Sequence, residues 1–369
     1  MPIGTVTSGS HSNPTPTDPI VPPGAVTIQT YAQTDVGQTR EHNEDAFVVA
    51  DLATARPLTF DRLRRQRSGP MGTLFMVADG MGGAAAGEYA SAAAVEVVLR
   101  YLREHWSARD RPTAETFVVA MYRAAIRAND ELHMIQKERR DLEGMGTTAT
   151  IAGLLGDTLY LAQVGDSRAY LVRDGKAVQI TRDQSLMQRL IDAGEISEEA
   201  AAQSDRRNII LQALGPEAHV KIDLTYQRLR RGDVLVVCSD GLTGQVKQED
   251  IASCIGDGSD LKRACGELIA LANSAGGPDN ITVVTARFDG DGLAAASDDD
   301  EAGYHEFSLP TQVTLDLSAA GPPPEAPPTP LQIEVDDERR RRGQRWMRIL
   351  GAIGIVLALY VLWRYLRAP

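Results

Sequence analysis

Short apolar runs separated by turn residues begin near residue 26 and continue to about 288. Runs rich in Val, Ile, Leu, Thr and Tyr at 45–50, 73–78, 147–155, 158–164, 168–173, 176–181, 219–228, 233–238 and 280–288 predict strands. Asp174-Gly175, between two of them, is a two-residue hairpin signal, because both positions tolerate a left-handed backbone. Two long segments, 87–106 and 113–140, instead repeat their apolar residues every three or four positions, as in Val95, Val98, Leu99 and Leu102. They predict helices, and a shorter one fits 260–273. Strands joined by tight turns, with the helices grouped, imply an α+β fold of antiparallel sheets faced by helices, not a doubly wound parallel sheet. The polar, arginine-rich stretch 51–72 reads as an excursion between two strands.

The flanks differ in kind. Residues 1–26 are rich in Ser, Thr, Pro and Gly, carry no apolar leader, and read as a disordered tail. Residues 289–338 hold thirteen Asp or Glu, no Lys or Arg, and a proline run, and read as a linker. Removing those thirteen charges from the net −12 leaves the rest of the chain about one charge positive. The acidity therefore belongs to a segment, and nothing resembles a basic nucleic-acid face. A flexible chain of fifty residues spans roughly 40 Å. A basic juxtamembrane segment at 339–348 precedes the uncharged run at 349–363. Fifteen residues make about 22 Å of helix, short of the ~30 Å hydrocarbon layer. Flanking Trp346, Met347, Tyr365 and Leu366 lengthen it, with Arg348 and Arg364 placed to snorkel. The expectation is a single transmembrane helix over 347–366, with the arginine bias before it placing the N-terminal body in the cytoplasm.

Cys238, Cys254 and Cys265 fit no metal knuckle, and Cys238 has Gly244 where a Cys-x5-Arg phosphatase needs arginine. They read as reduced, buried cysteines. Aspartates form the informative set. Asp45 opens an apolar run, Asp79 and Asp240 close others before Gly80 and Gly241, Asp166 follows L-A-Q-V-G, and Asp279 follows G-G-P. Any one is ordinary turn chemistry. Five at strand ends, if the sheets bring them together, would repel one another and require cations. An all-oxygen set suits magnesium or manganese rather than zinc.

The stretches T-D-V-G-Q-T-R-E-H-N-E-D-A-F (34–47), V-A-D-G-M-G-G (77–83), G-M-G-T-T-A-T (144–150), V-G-D-S-R-A-Y (164–170), V-V-C-S-D-G-L-T (236–243) and G-G-P-D-N-I-T-V-V (276–284) resemble, in order, the motifs of the metal-dependent protein phosphatase 2C (PPM) family, in its bacterial Ser/Thr branch. The resemblance covers about 27–288. It implies a four-layer α-β-β-α sandwich of two antiparallel sheets flanked by helices. It implies two Mn2+ or Mg2+ ions sharing a hydroxide, with Asp45, Asp79, Asp240, Asp279 and the Gly80 carbonyl as ligands, Asp79 bridging. It further implies a third ion at Asp166 and Asp240, Glu44 as an outer group holding metal water, and Arg40 on the substrate phosphate. Phosphorylated proteins are the implied substrates, with Ser/Thr kinases of the same membrane as the opposing partners.

The motifs also depart from the family. Ala84 stands where many relatives have histidine, and residues 183–208, the expected substrate flap, lack the histidines of related flaps. Weak turnover of poor leaving groups is the corresponding expectation. The competing function is a pseudophosphatase that binds phosphoproteins without hydrolysis. Retention of every carboxylate and of Arg40 weighs against it.

Overall fold

The computed structural model describes residues 26–309, apart from 61, 108, 110, 111 and 298–300. The N-terminal tail before Val26, the linker beyond 309, the basic segment at 339–348 and the expected span at 347–366 lie outside the described residues. Among those described, no helix is long and apolar enough to cross a membrane.

In chain order the elements are β1 (Thr27–Asp35), β2 (Asp45–Asp51), β3 (Arg56–Pro57), β4 (Arg64–Arg67), β5 (Thr73–Met81), α1 (Ala84–His105), α2 (Ala114–Glu138), β6 (Gly146–Thr147), β7 (Ala149–Leu155), β8 (Thr158–Val164), β9 (Arg168–Arg173) and β10 (Lys176–Gln179). Then come α3 (Leu186–Asp192), α4 (Glu198–Ala202), β11 (Asp223–Arg228), β12 (Val234–Cys238), α5 (Asp240–Thr243), α6 (Gln248–Ile255), α7 (Leu261–Ser274) and β13 (Ile281–Asp289). One sheet has the order β10-β9-β12-β13-β1-β4, the other β11-β8-β7-β5-β2-β3, with β6 paired to β5. Their ladders are antiparallel.

Each sheet is covered twice, which explains why the strands read as continuous apolar runs rather than alternating ones. Between the sheets lie Phe75, Val77, Leu161, Leu171, Val237 and Phe288. Phe75 and Phe288 meet edge to face there, with ring centroids 6.1 Å apart. On the outer side of the first sheet, Val236, Val283 and Tyr31 pack with Ile251 and Ile255 of α6 and Leu261, Cys265 and Leu268 of α7. On the outer side of the second, Phe117 of α2 sits edge to face on Tyr160 of β8. A capping box between Thr113 and Thr116 starts α2. The four-layer sandwich is thus present.

Asp174 and Gly175 both take positive φ, 49° and 75°, as the hairpin signal requires. Helices α1 and α2 match their periodicity closely, whereas α3 to α6 were not legible, being short or confined to a turn or two. The 51–72 excursion adds edge strands to both sheets, β3 and β4. The expected strand at 219–228 contracts to β11, since 183–222 forms an inserted flap carrying α3 and α4.

Part of the stretch expected as linker from 289 packs on the sandwich. Leu293 is buried, and Phe307 is buried edge to face against Tyr160 with centroids 5.7 Å apart. The Tyr226 N–H donates to the His305 carbonyl at 2.9 Å, and the Phe307 N–H to Leu224 at 2.8 Å. Residues 303–307 therefore form a short strap along the edge of β11, spaced too irregularly to show as a strand in sequence.

Candidate active site

All five aspartates come from one end of the sandwich. Asp45 begins β2, Asp79 lies near the end of β5, Asp166 sits in the β8–β9 turn, Asp240 follows β12 at the start of α5, and Asp279 precedes β13. The ladder registers make them neighbours. Asp45 and Asp79 are directly paired across β2 and β5. Cys238, two residues before Asp240, pairs with Val283 on one side and with Arg168, two residues after Asp166, on the other. Like charges directly opposed across a ladder destabilise it, so this arrangement costs stability that something else must offset.

The charges feel one another strongly. Burial raises Asp45 to about 7, with Asp240 and Asp279 adding to the rise and hydrogen bonds from Thr282 and Ser239 opposing it. Burial also lifts Asp79 well above the carboxylate range, reinforced by Asp45, Asp240, Asp166 and Asp279. Asp166 rises to about 8 through burial, Asp240 and Asp183. Asp240 rises through burial and Asp279, while a hydrogen bond from Asp79 holds it down. By surface area Asp45, Asp79 and Asp240 are only half-buried, but protein closely surrounds each carboxylate. Desolvation there follows the enclosing protein rather than the exposed fringe.

Local sequence fixes each carboxylate. The Thr148 hydroxyl accepts from the Asp79 N–H at 3.0 Å, and the Thr147 hydroxyl donates to the Asp79 carbonyl at 2.9 Å. Ser239 Oγ donates to Asp45 Oδ2 at 2.7 Å, whereas Asp45 Oδ1 is buried with no hydrogen-bond partner. The Gly80 N–H donates to the Glu44 carbonyl at 3.1 Å, and a Cβ on Gly80 would lie 2.6 Å from that same oxygen. A Cβ on Gly87 would overlap the Glu44 carboxylate. Both glycines are therefore required by close approach, and Glu44 is wedged at the mouth of α1. Burial raises Glu44 above its ordinary range, against the opposing pull of Arg40. Arg40, about half-exposed, bonds Asp279 Oδ2 at 2.9 Å and lies 4.0 Å from Glu44.

Arg40, Glu44, Asp45, Asp79, Gly80, Asp166, Asp240 and Asp279 are thus brought to one cleft. The residues fit hydrated divalent cations: the donors are all oxygen, they are mutually repelling, and one buried carboxylate oxygen lacks any partner. Among the described residues, no three His, Cys, Asp or Glu side chains close into a ready cage, so water and backbone carbonyls would complete the coordination. Sequence reasoning missed the supporting shell: Thr147, Thr148, Thr282, Gly87 and Asn280. Thr147 and Thr148 stood inside G-M-G-T-T-A-T and Asn280 inside G-G-P-D-N, but their partners lie far away in the chain. Cys238 and Cys265 are buried, and burial pushes both thiols up to about 12, so neither is a nucleophile.

Comparison with known proteins decides the family. Residues 61–274 match the sequence profile described as Protein phosphatase 2C. The chain belongs to the protein phosphatase 2C family. It is 35% identical over 258 residues to the serine/threonine phosphatase stp of Listeria monocytogenes, covering 70% of this chain and 94% of that one. It is 38% identical over 257 residues to the serine/threonine protein phosphatase PstP of Mycobacterium tuberculosis, covering 69% of this chain and 44% of that one. Among solved structures, the S. agalactiae serine/threonine phosphatase aligns with TM-score 0.61 and 33% identity, over 70% of this chain and 99% of that one. The PstP catalytic domain in complex with 2 manganese ions aligns with TM-score 0.57 and 33% identity, over 72% of this chain and all of that one. This phosphatase 2C member is accordingly an enzyme, a protein-serine/threonine phosphatase that works with metal ions.

Proposed function

We propose that the chain hydrolyses phosphoserine and phosphothreonine on proteins by direct attack of water at phosphorus, while tethered to a membrane. The observation that carries the site assignment is the cross-strand pair Asp45–Asp79, set among three further carboxylates, with Asp45 Oδ1 unpartnered. Asp45, Asp79, Asp240, Asp279 and the Gly80 carbonyl would hold two divalent cations, and Asp166 with Asp240 a third. Bound ions of this kind supply acidity that makes water nucleophilic at neutral pH, and charge that offsets the phosphoryl oxygens.

The protein's own groups do the rest. Arg40 presents a planar guanidinium at the rim and, on substrate binding, exchanges its carboxylate partner for two phosphate oxygens. Glu44, held under Gly87, orients water by accepting its proton in a hydrogen bond. Ser239 and Ser167 do not attack: Ser239 donates to Asp45, and Ser167 is fully buried against Thr148 at 2.7 Å. No protein phosphoester is therefore formed.

The test uses the full-length chain in detergent, assayed for manganese-dependent phosphate release from a phosphothreonine peptide, with Asp240→Asn as control. Release that is absent, or equal in the control, overturns the hydrolytic reading in favour of phosphoprotein binding alone. With Ala84 in place of a histidine, the rate on an activated aryl phosphate is expected to exceed that on the peptide by a far wider margin than in relatives that carry the histidine, and comparable ratios refute this. The tether at 347–366, the acidic linker before it and the cytoplasmic placement of the body rest on composition alone. Deleting 346–369 is expected to move the protein from the membrane to the soluble fraction. Retention on membranes refutes the span assignment.

A further inference from the structure

We propose that Asn280 is the positioning residue that sets Arg40 for phosphate binding, an inference that rests on the reading of Arg40 as the phosphate holder. Asn280 is 3% exposed. Its Oδ1 accepts from the Glu44 N–H at 2.8 Å. Its Nδ2 donates to the Val36 carbonyl at 2.9 Å and to the His42 carbonyl at 2.9 Å. One side chain thus grips the loop between β1 and β2 on both sides of Arg40. The Asn280 N–H donates to Asp279 Oδ1 at 2.9 Å, while Arg40 bonds the other oxygen of the same carboxylate, also at 2.9 Å. Ser239 Oγ, whose one proton goes to Asp45 Oδ2 at 2.7 Å, lies 3.4 Å from the Asn280 carbonyl. Arg40, Glu44, Asp45 and Asp279 therefore share a single hydrogen-bonded hub.

The chemistry of the amide explains the choice. Holding this loop needs one acceptor for an N–H and two donors for carbonyls, all within reach of one buried residue. Asparagine supplies that set; aspartate lacks the donors and leucine lacks everything. Arg40 itself is half-exposed, with its described partners all carboxylates that the substrate would displace. Its orientation is set by the loop beneath it. Fixing the loop before substrate arrives removes an ordering cost that binding would otherwise carry.

A double-mutant cycle tests this. Asn280→Ala is compared with wild type in the native background and in Arg40→Ala, with the full-length protein loaded with manganese. The quantities read are KM and kcat for a phosphothreonine peptide and the inhibition constant of inorganic phosphate. In the native background, KM and the phosphate constant are expected to rise about tenfold or more, with a smaller fall in kcat. In the Arg40→Ala background the same substitution should change them less than about twofold, because the residue acts through Arg40. Amide hydrogen exchange on the metal-free protein provides a readout without turnover: residues 36–44 should exchange faster while β7 and β8 are unchanged.

Equal losses in both backgrounds, or unchanged exchange at 36–44, overturn the proposal and leave Asn280 a general structural residue. If Arg40→Ala alone leaves the phosphate constant unmoved, the reading of Arg40 fails and the proposal falls with it. If Asn280→Ala does not fold, Asn280→Asp decides, since it keeps the bond to Glu44 and loses both donors. An Asn280→Asp variant with wild-type KM, phosphate constant and exchange overturns the proposal.

Discussion

Replacing Asp45 by asparagine should stabilise the metal-free protein, and increasingly so as pH rises. Asp45 has a folded value of about 7 against an ordinary 3.8, raised chiefly by burial and then by Asp240 and Asp279. A raised acid binds its proton more tightly in the folded state. The associated stability is therefore complete below the unfolded value and disappears as pH climbs through the folded one. The whole gap corresponds to about 4 kcal/mol, of which about 2.5 kcal/mol falls between pH 5 and pH 8. Neighbouring carboxylates relieve one another on protonation, so the figure is an upper bound for the single substitution. Asparagine keeps an oxygen for Ser239 Oγ and does not ionise. Urea unfolding in EDTA at pH 5, 6, 7 and 8 should show the advantage of the Asp45→Asn variant growing by up to that amount at constant m-value. Saturating Mn2+ should reverse the order, since cations bind the wild-type cluster better; a hundredfold excess over Kd is worth about 2.7 kcal/mol. An advantage that is flat or shrinks with pH would refute the claim that repulsion and desolvation are stored at this site.

Three further outcomes can be checked. Arg173→Met removes the guanidinium that bonds Asp233 at 2.7 and 2.9 Å, leaving this 1%-exposed carboxylate to the Arg230 N–H at 2.7 Å, and should cost about 3 kcal/mol in urea unfolding while the catalytic constants of the folded fraction stay unchanged. Phe307→Ala empties the contact with Tyr160 and Tyr226 and should cost about 3 kcal/mol; proteolysis near 294–309 should accelerate without loss of kcat. Gly87→Ala drives a methyl group into the Glu44 carboxylate and should lower kcat by about 10²-fold with far-UV circular dichroism unchanged, whereas wild-type turnover would show that the seat of the Glu44 carboxylate beside Gly87 is not needed for the reaction.

Strand cores and long helices were legible because their signal is local. A seven-residue apolar run such as β8 is buried along its whole length, so its composition reports its environment directly. The ligand aspartates were legible for a different reason: each sits at one end of an apolar run, and five such positions in one chain are hard to produce by turn chemistry alone. What sequence could not show is what depends on pairing. That Asp45 faces Asp79 follows from the β2–β5 register, not from either segment. The strap at 303–307 escaped because Gly303 to Phe307 has neither strand period nor apolar run, and its stability comes from β11 and the rings beside it.

Asn280 is the clearest case of non-local information. In sequence it stands between G-G-P-D and the apolar run I-T-V-V, and nothing local marks its side chain for long-range contacts. Its three side-chain partners lie 236 to 244 positions away. The same separation explains the distribution of strain and support in the site. Carboxylates that repel are contributed by five different chain segments, and no short peptide could hold them together. The sandwich core supplies the force that closes the cluster, through residues such as Phe75, Val77, Val237 and Phe288 packed between the sheets. Amide and hydroxyl groups then fix the direction of each charge at short range, as Thr148 does for Asp79 and Ser239 for Asp45. A binding site made this way is expensive in the absence of cations. It follows that neutralising Asp45, Asp79, Asp166 or Asp240, each pushed up by burial and by its neighbours, should raise the stability of the metal-free chain, whereas Asp279, paired with Arg40, should not.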